Sequence, residues 1–179
     1  MIVYFDMDGV LTDLNGMLAK KAGVERSAMA DPAFRSEWIH RSLAEDQAAH
    51  WRDIPANRLK EFKAAMGWLR RIKGHDIEIL TSYGQATLAD CGAKAHAGKV
   101  GWLTAHYLEE FQERLITRFN GVQSCWQKKF FATPGSLLID DQAENVEQWR
   151  SAGGVAILYD LEHHARFPTE LEQALQELR

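Results

Sequence analysis

The chain of 179 residues is poor in cysteine and has no long apolar run. Cys91 and Cys125 lie far apart and lack the spacing of metal ligands, so we expect no disulfide framework and a reducing, cytoplasmic environment. No segment approaches the roughly 18 apolar residues of a membrane span. The sequence starts Met1–Phe5 and reaches Asp6 at once, which is unlike a secretory signal. These absences predict a cytoplasmic globular protein with no membrane partner.

Charge is unevenly distributed along the chain. Overall there are 21 basic and 25 acidic side chains, a net charge of -4. Residues 14–75 hold 12 basic and 7 acidic side chains, a net of +5, and the other residues hold 9 and 18, a net of -9. Two interpretations stay open: the basic segment attracts anionic ligands, or it is only a solvated face. A composition of 46% hydrophobic residues excludes a disordered tail.

Short apolar runs bounded by Gly, Asp or Ser predict strands that are buried on both faces. Between these runs lie helical patterns, and strands that alternate with helices indicate a parallel sheet with helices on both faces. The expected fold class is therefore α/β and Rossmann-like. The strands are expected at Ile2–Phe5, Ile77–Leu80, Ser136–Ile139 and Val155–Tyr159, with a less regular fifth at Arg114–Phe119.

Helices are predicted from apolar spacing and from terminal residues. One is expected over Gln85–Ala95, and a second over Ala143–Ala152 with Gly153 as its stop. A third follows a capping box made by Thr169 and Glu172. The predicted core therefore comprises residues 1–13 and 76–179.

Residues 14–75 contain no strand-like run and predict a small helical cap inserted after the first strand. Asp31 and Pro32 form an N-cap and first-turn pair, which begins one helix of this segment. A stronger helix has apolar residues at steps of three and four and ends near Gly74. Its apolar positions are Leu59, Phe62, Met66, Leu69 and Ile72.

Polar residues follow three of the predicted strands, where the carboxyl ends of parallel strands meet at one edge of the sheet. Several acids at one edge repel each other unless a cation lies among them, and oxygen ligands without His or Cys suit Mg²⁺. Such a site favours phosphoryl transfer. The residues are Asp6, Asp8 and Gly9 after the first strand, Thr81 and Ser82 after the second, and Asp140 and Asp141 after the third.

Asp6–Asp13, with the sequence DMDGVLTD, resembles the first motif of haloacid dehalogenase (HAD) superfamily phosphatases. Thr81 with Ser82, Lys128 and Asp140-Asp141 match the second, third and fourth motifs in order, and the helical insertion occupies the place of the family's first type of cap. Together with Leu137–Asp141, the first motif is similar to the 5'(3')-deoxyribonucleotidase group and its phage and bacterial relatives.

The resemblance implies a role for each motif residue. Asp6 is the expected nucleophile, which forms an aspartyl-phosphate, and Asp8 is the expected general acid and base. Mg²⁺ is expected on the Asp6 carboxylate, the Asp8 main-chain carbonyl and Asp141, with Asp140 outer-sphere or orienting. The expected phosphate-binding residues are Thr81, Ser82 and Lys128.

Several positions stay open at this point. Lys129 competes with Lys128 for the third motif, and Asn145 stands where the family often has a second acid. Leu14 occupies a position where the deoxyribonucleotidase group commonly has an aromatic residue that packs on the base. The possible substitutes or anion contacts in the cap are Trp38, Trp51, Arg35 and Arg41.

The expected function is Mg²⁺-dependent hydrolysis of a phosphomonoester, with a nucleoside 5'-monophosphate as the first choice of substrate. A sugar phosphate and a polynucleotide 3'-phosphate are alternative substrates. The expected partner is thus a small phosphorylated metabolite, with no stable nucleic-acid complex. A receiver-like module and a catalytically idle phosphate-binding module are the alternatives outside enzymes.

Overall fold

A computed structural model describes residues 1–45, 47–83, 91–111, 118–122 and 125–178. Its strands are β1 (Ile2–Phe5), β2 (Asp76–Ser82), β3 (Phe119–Val122), β4 (Ser136–Asp140) and β5 (Val155–Leu158). Its α-helices are α1 (Leu14–Ala22), α2 (Pro32–Glu45), α3 (Gln47–Arg52), α4 (Leu59–Arg71), α5 (Cys91–Tyr107), α6 (Ala143–Ser151) and α7 (Phe167–Glu177).

The five strands of the described chain form one sheet in the order β3-β2-β1-β4-β5. All of its pairings are parallel, with Phe5 opposite Ile79 on one side and Ile139 on the other. The prediction of a Rossmann-like α/β fold is confirmed. The receiver-like hypothesis is wrong, because receivers have the flavodoxin-like order 2-1-3-4-5 and β1 here lies between β2 and β4.

Successive residues of the central strands serve opposite faces of the sheet, which gives the fold two buried layers. Phe5 and Ile139 contribute to a cluster that includes Phe62 of α4 and Leu171 of α7. On the other face, Tyr4 packs with its ring centroid 5.4 Å from that of Trp149 on α6. Both faces are therefore covered by helices, as the near-continuous apolar strands require.

The segment after β1 is helical, and its helices pack in two places. Leu18 of α1 and Trp51 of α3 belong to an apolar cluster of their own, partly covered by Trp38 of α2. By contrast, α4 packs Phe62 and Met66 into the core with the sheet. α4 thus packs as a helical layer on the sheet. The predicted cap boundary at residue 75 stays a prediction.

Several boundaries and positions differ from the sequence predictions. The less regular strand predicted at Arg114–Phe119 is β3, which starts at Phe119. Residues 114–117 lie outside the described chain. Ile72 is 70% exposed, because α4 ends at Arg71 and its apolar face ends with it. The capping box is wrong, since α7 already begins at Phe167 and places Thr169 inside the helix. There Pro168 occupies the first turn, which its fixed φ angle suits.

The predicted helix over Gln85–Ala95 is longer than expected. Residues 85–90 lie outside the described chain, and α5 continues to Tyr107. Close packing explains the glycine in its middle: a Cβ atom on Gly98 would lie 2.2 Å from Cδ1 of Trp51. Gly98 thus lets the Trp51 ring lie directly on α5, and this contact joins the segment after β1 to the core.

Within the described residues, no helix is both long enough and apolar enough to cross a bilayer.

Candidate active site

The predicted residues meet at the carboxyl edge of the sheet, where β1 lies between β2 and β4. Asp6 directly follows β1, Thr81 is the next-to-last residue of β2, and Asp140 ends β4. The main-chain N–H of Asp6 donates to the Ile139 carbonyl at 2.9 Å, so the pairing of β1 with β4 continues to Asp6. The sheet edge predicted from the sequence is therefore the edge at which these residues lie in the structure.

Three carboxyl groups crowd together at this edge. One oxygen each from Asp6, Asp140 and Asp141 lies within 4.8 Å of the others. Gly9 makes the approach possible: it has a φ of 85°, and a Cβ atom there would lie 2.0 Å from Oδ2 of Asp141. A side chain at position 9 would therefore force Asp141 away from the cluster.

Crowding and burial raise two pKa values. Burial raises the pKa of Asp6 to about 6; the positive charge of Lys128 opposes this effect, and the negative charges of Asp140 and Asp8 add to it. Burial, with the negative charges of Asp6 and Asp140, raises the pKa of Asp141 to about 7. A cation bound among these groups would favour their ionised forms.

Lys128, rather than Lys129, reaches the acids. Its Nζ atom lies 3.0 Å from Oδ1 of Asp6 and donates to Oδ2 of Asp140 at 2.7 Å. Lys129 instead lies with its Nζ atom 5.7 Å from the Phe130 ring centroid. Lys128 is buried, so its charge acts on the two carboxylates with little screening.

Asp140 is held by several donors, which suits an orienting role. Besides Lys128, its carboxylate accepts from the Gln142 main-chain N–H at 2.9 Å. Asn145 donates to both of its oxygens, at 2.9 and 3.1 Å. The amide at position 145 thus binds Asp140. Asp141 accepts from the Gln142 side chain alone among the described residues, which leaves its carboxylate the more available to a metal ion.

Asp8 is held by a lysine other than Lys128. Its Oδ2 accepts from Nζ of Lys99 at 2.5 Å, and the same Nζ donates to Oγ1 of Thr81 at 2.8 Å. Ser82 lines the cavity beside them. Lys99 is fully buried on α5 and is not among the predicted site residues. Its position gave one signal: Ala95 and Trp102, four residues before it and three after it, put it on a buried helix face.

A cavity opens above the acids, and most of its apolar lining residues come from the segment after β1. Trp51 lines it, as do Arg35 and Leu14, whereas Trp38 does not. Arg41 pairs with Glu37 on the exposed face of α2 and lies away from the cavity. The apolar lining consists of Leu14, Ile39, Leu43, Trp51, Tyr83 and Ala95.

His50 also lines this cavity and was not predicted. Its Nδ1 lies 2.9 Å from Oγ of Ser42, which accepts from Nζ of Lys21 at 2.7 Å. Burial lowers the pKa of His50 to about 4, against the opposing influence of the Asp8 charge. The imidazole is therefore neutral at pH 7.

The donor set at the acid cluster fits Mg²⁺. Asp6, Asp140 and Asp141 offer oxygen atoms, the ligands that Mg²⁺ prefers, and no histidine or cysteine of the described chain joins that cluster. Lys128 supplies one positive charge against the three carboxylates. A divalent cation would balance the remaining negative charge.

No protein-family model matches the chain, and no curated protein matches it. Among solved structures, it is similar to a HAD-superfamily hydrolase of subfamily IA, variant 1, from Geobacter sulfurreducens PCA, with 14% identity, 95% of each chain covered and a TM-score of 0.48. It is also similar to a predicted HAD-like family hydrolase from Porphyromonas gingivalis, with 16% identity, 96% of each chain covered and a TM-score of 0.45.

Proposed function

We propose that this chain is a Mg²⁺-dependent phosphomonoester hydrolase of the HAD type, which acts through an aspartyl-phosphate on Asp6. One observation carries the proposal: Asp6 lies buried at the carboxyl end of β1, 3.0 Å from the Lys128 ammonium and clustered with Asp140 and Asp141. A nucleophilic carboxylate, a lysine and further acids with room for a cation are the parts that phosphoryl transfer to an aspartate needs.

The first step is attack by an Asp6 oxygen on phosphorus. The new bond joins that oxygen to phosphorus, the ester P–O bond breaks, and its electron pair goes to the leaving oxygen. Lys128 reduces the repulsion between the nucleophile and the phosphoryl oxygens, because its charge lies 3.0 Å from Asp6. Thr81 and Ser82 bind phosphoryl oxygens from the end of β2.

Asp8 moves the protons in both steps. It protonates the leaving oxygen in the first step and then takes a proton from the water that attacks phosphorus in the second. That attack breaks the bond between phosphorus and Asp6 and releases inorganic phosphate. Asp6, Asp141 and the Asp8 main-chain carbonyl would hold Mg²⁺, whose charge lowers the repulsion between the two anions.

The wall of the cavity supports a nucleoside as the leaving group. Trp51 and Tyr83 offer aromatic surface, and Leu14 and Leu43 add apolar contact, so a planar base is a better complement than a hydroxyl-rich sugar. Recognition of a sugar depends on many well-placed hydrogen-bonding groups. Besides Lys128, the lining includes one cationic side chain, that of Arg35, and one imidazole, that of His50.

The test is phosphate release by the purified protein from a panel of esters. Nucleoside 5'-monophosphates are expected to be the best substrates, followed by sugar phosphates and 3'-phosphorylated oligonucleotides, and EDTA should abolish release until Mg²⁺ is added back. A preference for a sugar phosphate or an oligonucleotide would overturn the choice of leaving group but keep the chemistry. No Mg²⁺-dependent release from any ester would overturn the enzymatic proposal and favour an idle phosphate-binding module.

A further inference from the structure

Lys99 is a fully buried lysine that joins two elements of the site. Its Nζ donates to Oδ2 of Asp8 on the loop after β1 at 2.5 Å and to Oγ1 of Thr81 on β2 at 2.8 Å. The same Nζ lies 5.2 Å from the Trp51 ring centroid. A single ammonium group of α5 thus holds two predicted site residues that come from different strands.

Fold stability alone does not explain this lysine. A buried ion pair is often no more stabilising than well-packed apolar residues of similar volume, because both charges lose their hydration. An apolar residue at position 99 would continue the buried face of α5 that Ala95 and Trp102 form. The charge is therefore better explained by what it does to Asp8 and Thr81.

Hydrogen-bond chemistry fixes the direction of the Thr81 contact. A lysine ammonium has donors and no acceptor, so Oγ1 of Thr81 accepts from Lys99. The single hydroxyl hydrogen of Thr81 is then left to donate to another group. A phosphoryl oxygen is such an acceptor, and Lys99 thereby makes Thr81 a donor toward the phosphate.

The two oxygens of Asp8 are made unequal by the same ammonium. Oδ2 is engaged by Lys99, whereas Oδ1 is buried and has no hydrogen-bond partner among the described residues. Because an unpaired buried oxygen is unfavourable, Oδ1 is the atom with most to gain from a leaving-group oxygen or a water. Lys99 thus selects the oxygen that exchanges the proton.

We propose that Lys99 is a positioning residue, which holds Asp8 with Oδ1 toward the reacting oxygen and holds Thr81 as a donor to the phosphoryl group. This inference rests on the proposed phosphatase chemistry. It predicts an effect that depends on the leaving group, because an alkoxide needs a proton from Asp8 as it departs and a nitrophenolate does not.

The experiment compares Lys99→Met with the wild-type protein on two esters. One is p-nitrophenyl phosphate, and the other is the best nucleoside 5'-monophosphate from the panel above. We expect kcat/KM for the nucleotide to fall by about a hundredfold and that for the aryl ester by less than about tenfold. The ratio of the two values does not depend on the folded fraction, so partial unfolding leaves it unchanged.

Two further variants make the test specific. Lys94→Met removes an exposed lysine of the same helix and should leave the ratio at its wild-type value. In an Asp8→Asn background, adding Lys99→Met should change the ratio little, because residues that act as a unit are not additive. If Lys99→Met yields no folded protein, Lys99→Gln, which retains an N–H donor, should give a smaller shift in the same direction.

The outcomes separate this inference from the proposed function. If the wild-type protein hydrolyses neither ester, the proposed function fails. If it hydrolyses both and the Lys99 variants lower both values equally, the role through Asp8 is overturned while the function stands. If the variants only lower the melting temperature, the whole positioning role is overturned. A full additional effect of Lys99→Met in the Asp8→Asn background would likewise overturn a role through Asp8.

Discussion

Lys128 and Lys99 are both buried and both bridge two polar groups, yet the surroundings of the two lysines carry different charge. Lys128 contacts the carboxylates of Asp6 and Asp140, with Asp141 close by. Lys99 contacts one carboxylate, Asp8, and one neutral hydroxyl, Thr81. We call these groups the Lys128 half and the Lys99 half. The first has an excess of negative charge, and the second is balanced.

The difference indicates which half is built for a cation and which for positioning. The raised pKa values of Asp6 and Asp141 belong to the Lys128 half, where burial and like charges oppose ionisation. In the Lys99 half the ammonium pairs directly with one oxygen of the single carboxylate, Oδ2 of Asp8. Under the proposed function, electrostatic stabilisation is thus concentrated around Asp6 and proton transfer around Asp8.

The largest effect is expected from Asp6→Asn, which removes the proposed nucleophile. Hydrolysis of p-nitrophenyl phosphate should fall by roughly ten-thousandfold or more, as when a covalent catalyst loses its nucleophile. The fold should survive, because Lys128 keeps its 2.7 Å contact with Asp140. Asp160→Asn, which changes an exposed aspartate, is the matched control. Activity close to wild type in Asp6→Asn would remove the basis for assigning the nucleophile to the Lys128 half.

Removal of Lys128 tests the charge excess through stability. Lys128→Met leaves Asp6 and Asp140 buried without their cation, and loss of one partner of a buried pair typically costs about 3–5 kcal/mol. Lys129→Met should lower the free energy of unfolding by less than about 1 kcal/mol, because that side chain contacts only aromatic rings among the described residues. Urea unfolding of both variants without Mg²⁺ measures the difference. Equal losses would contradict the special position of Lys128.

The Lys128 half could be predicted from the sequence because its parts lie at strand ends. Buried parallel strands are short apolar runs, and Asp6 and Asp140 mark where β1 and β4 stop. The resemblance places the third motif at Lys128, with Lys129 as a competitor, and the fold brings Lys128 to the acids. The start of β3, by contrast, is not predictable in this way, because an alternation of apolar and polar residues fixes no starting point.

The Lys99 half could not be assembled from the sequence in the same way. Asp8 and Thr81 are visible at strand ends, but their connection is a lysine on a long helix rich in alanine and glycine. That helix shows little apolar periodicity, so the buried face of Lys99 is defined by contacts with Trp51, which lies far away in the sequence. The network of Lys21, Ser42 and His50 also depends on tertiary packing of three helices.

The buried imidazole of His50 is a probe of the Lys99 half, because the charges of Asp8 and Lys99 both act on it. Its pKa is about 4 in the folded protein and 6.5 in the unfolded chain, so between these values the unfolded chain binds more protons. The stability that His50 contributes is therefore complete above pH 6.5 and falls by up to about 1.4 kcal/mol per pH unit as the pH decreases toward 4. The charged groups that act on it are Asp8, Lys21 and Lys99.

His50→Asn should remove this part of the pH dependence, since an amide can take the place of Nδ1 beside Ser42 without titrating. Urea unfolding at pH 7.5 and pH 4.5 gives the free energy of unfolding for both proteins. The difference between wild type and variant should shrink or change sign at pH 4.5. A difference that is the same at both pH values would show that His50 is not held neutral by the fold.

The smallest effect is the stabilisation of the substrate-free protein by Mg²⁺, and it should be confined to the Lys128 half. At a Mg²⁺ concentration ten times the dissociation constant, binding to the folded state alone adds about 1.4 kcal/mol to the free energy of unfolding. Because Asp141 and Asp6 titrate near pH 7 and 6, protons compete with the cation there, so binding should weaken steadily from pH 8 to pH 6. Isothermal titration at these pH values measures the affinity.

Asp141→Asn should abolish the binding, whereas Lys99→Met should preserve it, because Lys99 contacts no carboxylate of the cluster. Equal losses of affinity in the two variants would show that the two halves act as one site.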